Sequence, residues 1–191
     1  RMLGDRLRSK LNRTVVVESK SGAGGLVAIQ HLRQFDADGS YLMMAPNSAV
    51  SLLPLFATKP TFDYETQLQA VVECASAPMA FTVHPSSGVN TLAEYFESVK
   101  KDPKRGSIGV PSPVSMGALV IYQLGKQLNL PLQAVPYRGG SPLLADLLGN
   151  QIPASGSILP DYLENHRAGK LRVLTHASEK RSPLAPEIPT I

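Results

Sequence analysis

Tryptophan is absent from this 191-residue chain and cysteine nearly so, Cys74 standing alone. A single cysteine excludes any internal disulfide, and it neither requires an oxidising compartment nor forbids one. With no base identified beside it, Cys74 is expected as a buried, inert thiol in a strand. No run approaches the ~18 consecutive apolar residues of a membrane span, so a soluble chain without direct membrane insertion is expected. The start, Arg1-Met2-Leu3-Gly4-Asp5, carries no apolar signal-peptide core.

Recognisable reaction chemistry is missing too. His31, His84, His166 and His176 are scattered, with no His-Glu-x-x-His or paired metal spacing. No Gly-x-Ser-x-Gly elbow occurs, and the acids are dispersed. The glycine loop Ser19–Gly25 lacks the Gly-Lys-Ser/Thr ending of a nucleotide loop and fails the dinucleotide fingerprint. It reads as a tight strand-to-helix connection. No catalytic residue, metal or cofactor is assigned. The net charge of +4 and pI near 9.3 could suggest nucleic acid. The basic residues are dispersed, however, with Arg6, Arg8 and Lys10 on one short amphipathic helix and no aromatic stacking platforms between them. A nucleic-acid partner is therefore not expected.

What is present is 43% hydrophobic residues, enough for a real core, arranged in a strand and helix rhythm. Met2–Leu11 has Leu3, Leu7 and Leu11 at helical spacing, and Val15–Glu18 reads as a short strand. Gly25–Phe35 reads as helix, Tyr41–Ala45 as strand, and Ser48–Ala57 as a helix distorted at Pro54. Two extended runs follow, Leu68–Ser76 and Met79–His84. Thr91–Lys101 (helix), Ser107–Val110 (strand), Ser115–Asn129 (helix), Leu132–Pro136 (strand) and Ser141–Leu148 (helix) restore the alternation. Ile152–Ser155 (strand), Leu159–Ala168 (helix) and Leu171–Ala177 (strand) complete it. Such a pattern predicts an α/β fold with mainly parallel sheets.

The paired extended runs break the rhythm, and the crossing between two lobes is placed there. One lobe covers 1–78 and regains the chain at 177–191; the other covers 79–176. Two lobes joined by two crossings can hinge around a ligand. In open parallel sheets, ligands sit outside the carboxyl ends of the strands. The expected lining is thus Ser19–Gly25, Pro46–Ser48 with Asn47, Val110–Ser115, Tyr137–Ser141 and Ser155–Ile158. Ser48, Ser112 or Ser115, and Ser157 are each placed to cap a helix, which is also an ordinary structural task. Tyr137 could donate to an acidic ligand, or simply end a core strand with its hydroxyl wet. Gly139 and Gly140 would let backbone approach the ligand closely. Arg138 reads as a surface charge or an anion contact.

The same residues carry a resemblance. Val135-Pro136-Tyr137-Arg138-Gly139, Asp146-Leu147-Leu148-Gly149-Asn150-Gln151-Ile152 and Arg167-Ala168-Gly169-Lys170-Leu171-Arg172-Val173-Leu174 recur in order along the chain. So do Val15-Val16-Val17-Glu18 before Gly22-Ala23-Gly24-Gly25, Ala37-Asp38-Gly39-Ser40-Tyr41-Leu42, His84-Pro85, Lys180-Arg181-Ser182-Pro183 and Ile188-Pro189-Thr190. Together they resemble the Bug, or TctC-like, substrate-binding proteins of tripartite tricarboxylate transporters. The resemblance implies a two-lobed, type II periplasmic-binding-protein-like fold and a small carboxylate ligand. It also implies periplasmic localisation and delivery to the membrane components of a tripartite tricarboxylate-type transporter. Relatives hold the ligand carboxylate with main-chain amides, hydroxyls and waters, which maps here onto Asn47, Ser48, Ser112, Ser115, Tyr137, Gly139, Gly140 and Ser157. The family carries a signal peptide, a first strand and further C-terminal helices, so the chain is expected to be truncated at both ends.

One departure bears on the ligand. Where relatives commonly have an acidic pair after the strand at Ile152–Ser155, this chain has Gly156-Ser157-Ile158, and Pro153 interrupts the strand. Loss of an acid there disfavours an amine-bearing ligand and favours a simple carboxylic acid. Two other classes fit the fold expectation: the effector-binding domain of a LysR-type regulator, which would follow a helix-turn-helix module, and an α/β enzyme.

Overall fold

A computed structural model describes residues 1–56 and 62–191. Among them lies one five-stranded sheet: β1 (Met79–Val83), β2 (Ser107–Val110), β3 (Gln133–Pro136), β4 (Ala154–Ile158) and β5 (Arg172–His176), in the order β3-β2-β4-β1-β5. β2 runs parallel to β3 and β4, whereas β1 is antiparallel to both β4 and β5. Direction is therefore shared by every strand except β1. The helices are α1 (Met2–Leu11), α2 (Leu26–Leu32), α3 (Ser48–Ser51), α4 (Leu53–Phe56), α5 (Tyr64–Gln67), α6 (Leu92–Lys101), α7 (Met116–Leu128), α8 (Gly140–Leu148) and α9 (Pro160–Arg167). α7, α8 and α9 each follow the carboxyl end of a strand, namely β2, β3 and β4.

Local chemistry explains the elements. Thr91 caps α6 by accepting the Glu94 amide at 3.1 Å, and the Glu94 carboxylate reaches back to the Asn90 amide at 2.7 Å. This reciprocal arrangement satisfies two donors that the helix cannot. Tyr95 and Val99, four apart on one face, are buried. Asn129, at φ 52°, ends α7 in the left-handed conformation that asparagine tolerates. Along β1, Phe81 and Val83 enter a cluster with Tyr95, Ile108, Ile121 and Leu174, while Ala80 joins Leu147, Ile152, Tyr162, Val173 and Ile188. Alternating side chains thus meet two cores, and the sheet is covered on both faces.

The expected strands Val15–Glu18, Tyr41–Ala45 and Leu68–Ser76 are corrected: none is a strand. A strand exists through its ladder, and among the described residues no neighbouring backbone pairs with these runs. Val16 (76%), Leu42 (61%) and Val72 (73%) are accordingly exposed. Cys74 is exposed for the same reason, not buried. The expected helix Gly25–Phe35 shortens to α2, preceded by a 3-10 turn at Ala23–Gly25. The expected helix from Ser48 divides into α3 and α4, because Pro54 has no amide to donate back along the helix; Ala57 lies outside the described residues. β4 is shifted along the chain, starting just after Pro153 and taking in Gly156, Ser157 and Ile158, which pair with Phe81, Ala80 and Met79.

Glycine permits the closest approach between layers. A Cβ on Gly117, in the first turn of α7, would stand 2.4 Å from the Gly156 carbonyl oxygen of β4. At the far edge, His176 is fully buried. Its Nε2 accepts the Ser182 amide at 3.2 Å, so the proton of the neutral ring sits on Nδ1, which has no partner among the described residues. Burial, reinforced by Arg181, holds its pKa below the usual 6.5. The unfolded chain therefore takes up the proton first as pH falls. Stability from this group is complete above pH ~6.5 and is lost on acidification toward the folded value. Urea midpoints should drop between pH 8 and pH 5.5 by more in the native chain than in His176→Gln. Equal drops would refute the assignment.

Candidate functional site

The carboxyl ends of β2, β3 and β4 lie side by side in the sheet, so the turns leading into α7, α8 and α9 form one rim. The β3 turn is tied to the β2 turn: the Tyr137 amide donates to Val110 O at 2.8 Å, and the Gly139 amide to Pro111 O at 2.9 Å. From residues 1–56 a second group of turns meets this rim. Gly24, at φ 67°, is so close that a Cβ there would lie 3.3 Å from Ser112 Oγ and 3.5 Å from Val114 Cβ. A Cβ on Gly25 would come within 2.8 Å of Ala49 Cβ, which puts α3 beside the same glycine turn. Positive φ at Gly24 and Gly25 is what allows the turn to close this tightly.

The predicted residues take distinct positions on this frame. Ser115 is the N-cap of α7, accepting the Ala118 amide at 3.2 Å and donating to Ser112 O at 2.8 Å. Ser112 Oγ accepts the Val114 amide at 3.1 Å. Both hydroxyls thus shape the turn, with Ser112 facing the glycine loop. Ser48 is not a cap; Asn47 holds that position, and its side-chain oxygen accepts from Ser51 Oγ. Of the candidate hydroxyls, only that of Ser48 makes no hydrogen bond among the described residues. Ser157 is not a cap either, since it lies within β4. Its hydroxyl donates to Asp161 Oδ2 at 3.1 Å.

Tyr137 turns into the structure. Its ring packs on the core beside Val135 and Leu144, and its hydroxyl donates to Asp146 Oδ2 at 2.8 Å. Burial first, then the Asp146 bond, raises its pKa above 10. Arg138 is exposed and makes no hydrogen bond or ion pair among the described residues. The Gly139 amide is consumed by Pro111, so the backbone donors left at this turn are those of Arg138 and of Gly140 and Ser141, the last two heading α8. No side chain caps that helix. A nine-residue helix with bare leading amides attracts an anion by hydrogen bonding and by its dipole together.

Asp161, in the first turn of α9, is the residue that the sequence reading missed. Its Oδ2 lies 3.2 Å from where a Cβ on Gly140 would stand, so it borders the head of α8. Pro160-Asp161 is legible as a helix start. That Asp161 returns to Ser157 is set by the β4-to-α9 turn and leaves no mark in the spacing. Behind it, Ser155 Oγ donates to Tyr162 Oη at 2.6 Å, and burial pushes the Tyr162 pKa up to about 12, which fixes α9 against β4.

His84 bonds Ser86, His166 accepts the Val173 amide, and no group of three or more metal-binding side chains occurs among the described residues. Two open surface hollows lie elsewhere. One of about 390 Å³ borders Arg172 and Thr190, and one of about 720 Å³ runs along α6. The arginines that line them are already engaged, Arg172 with Val89 O and Arg105 with Ser87 O. Neither hollow includes a candidate residue.

A family model described as tripartite tricarboxylate transporter family receptor matches residues 1–191. BugT of Bordetella pertussis is 28% identical over 196 residues, covering 100% of this chain and 59% of its own length. A UPF0065 protein of Cupriavidus necator is 29% identical, covering 100% and 58%. The chain therefore spans a little over half the length of these relatives. Among solved structures, R. palustris Rpa4515 with adipate superposes with a TM-score of 0.93 at 25% identity, covering 100% of this chain and 64% of that one. The periplasmic binding protein BugD superposes with a TM-score of 0.85 at 26% identity, covering 98% and 62%. No helix among the described residues is long and apolar enough to cross a membrane.

Proposed function

Because the chain belongs to the tripartite tricarboxylate transporter receptor family, we propose that it is the main part of a periplasmic receptor that binds a small carboxylic acid and releases it unchanged. The acid is delivered to the membrane components of a tripartite tricarboxylate-type transporter. The observation that carries this reading is the uncapped head of α8, with the Gly140 and Ser141 amides unspent, beside the turn of Ser112 and Ser115 and opposite the glycine loop and Ser48. Such a rim offers donors from several elements. A carboxylate held this way gains charge-assisted hydrogen bonds without a dedicated cation. The turns of residues 1–56 and those of 79–176 are the two walls, and their separation and approach admit and retain the ligand.

Calorimetric titration of the full chain against mono-, di- and tricarboxylates tests the reading. Saturable binding of one or a few acids, recovered chemically intact, is the expected result. Turnover of the ligand, or tight binding of nucleotides with no acid bound, would contradict it.

A further inference from the structure

Asp161 is a carboxylate where the family resemblance implies anion binding, and its surroundings do not neutralise it. It is half-buried, accepts from Ser157 Oγ alone among the described residues, and has no cationic side chain beside it there. Burial raises its pKa, with the Ser157 bond acting in the opposite sense. An acid in a helix's first turn has an ordinary role, complementing the dipole of its own helix. That role is met by a solvated carboxylate and calls for neither the partial burial nor the approach to α8. Asp161 instead borders the leading residue of a neighbouring helix, Gly140, whose lack of a Cβ is what lets the carboxylate approach so closely.

We propose that Asp161 is the specificity determinant of this site, selecting acids that carry a hydroxyl or ammonium donor on the carbon next to the carboxylate. The inference rests on the reading that a ligand carboxylate meets the α8 amides. A carboxylate there comes close to a second negative charge, and in a partly desolvated rim that repulsion is strong. A donor on the adjacent carbon points at the free lone pairs of Asp161 and turns repulsion into a charge-assisted hydrogen bond. An unsubstituted acid leaves Asp161 desolvated and unpaired, which a site built this way rejects. The acid that the strand end lacks at Ser157 is thus supplied four residues on, with Ser157 orienting it. The sequence-based expectation against amine-bearing ligands is replaced by this one.

The test is calorimetric titration of the full chain with succinate, 2-hydroxysuccinate and 2-aminosuccinate, and with shorter and longer members of the same three series. In the native chain the donor-bearing acids should bind about ten- to hundredfold more tightly than the unsubstituted acid of equal length, the range expected of one hydrogen bond to a charged group. Asp161→Asn, verified as folded by circular dichroism, should shrink that ratio to within about threefold, chiefly by improving the unsubstituted acid. Ser157→Ala removes the hydroxyl that orients the carboxylate and should lower the ratio, by less than Asp161→Asn does. Equal affinities within each series in the native chain would overturn the proposal without any variant, as would an unchanged ratio in Asp161→Asn. Binding of no acid by the native chain would overturn the carboxylate reading and this proposal together, whereas acid binding without the preference would overturn only this one.

Discussion

Phe81→Ala is expected to cost about 3–5 kcal/mol of folding stability, the range for emptying a buried aromatic site. Phe81 is fully buried in β1, the strand between β4 and β5, and its backbone is paired on both sides. Its ring lies 5.7 Å from that of Tyr95 and 6.4 Å from that of Phe96 between centroids, in the edge-on and tilted arrangements that aromatic rings prefer. These neighbours hang from α6 and the backbone around them is held by the ladder, so the space left behind cannot collapse. For a chain of this length the loss corresponds to a melting temperature lower by roughly 6–20 °C. Urea unfolding with an unchanged slope and a lower midpoint is the check. A loss under about 1 kcal/mol would show that the cluster is not the core of this sheet.

Gly117→Val should lower stability by about 1–3 kcal/mol and weaken acid binding as well. The two effects have one cause. A side chain at Gly117 meets the Gly156 carbonyl at 2.4 Å, and backbone cannot yield as the end of a side chain can. α7 must move away from β4, carrying with it the Ser112–Ser115 turn that caps it. Denaturant midpoints and acid affinity should therefore fall together. Reduced stability with unaltered affinity would separate the α7 turn from the ligand.

The strand and helix rhythm from β1 onward was legible because each element there buries a face in the same sheet, and burial writes a period into the sequence. The runs of strand composition before β1 misled for the matching reason. Val15-Val16-Val17 and Val71-Val72 are β-branched, but pairing is a property of two backbones, and one run cannot reveal whether a neighbour exists. The rim was legible as a set of turns at strand ends. What each side chain does there was not. Ser115 reads from sequence as cap or ligand contact, and the structure shows its capping bond, while Tyr137 goes to Asp146, a partner nine residues away across the strand-to-helix turn. Asp161 escaped notice because its meaning lies in its distance from Gly140, which a chain spacing of 21 residues does not encode.

The most direct test of the account is a crystal structure of the full chain with its tightest-binding acid. A ligand carboxylate oxygen is expected within hydrogen-bonding distance of the Gly140 or Ser141 amide, enclosed between the Ser112–Ser115 turn and the glycine loop at Gly24. An acid seated in the hollow beside Arg172 and Thr190, or along α6, with the head of α8 left to solvent, would contradict it.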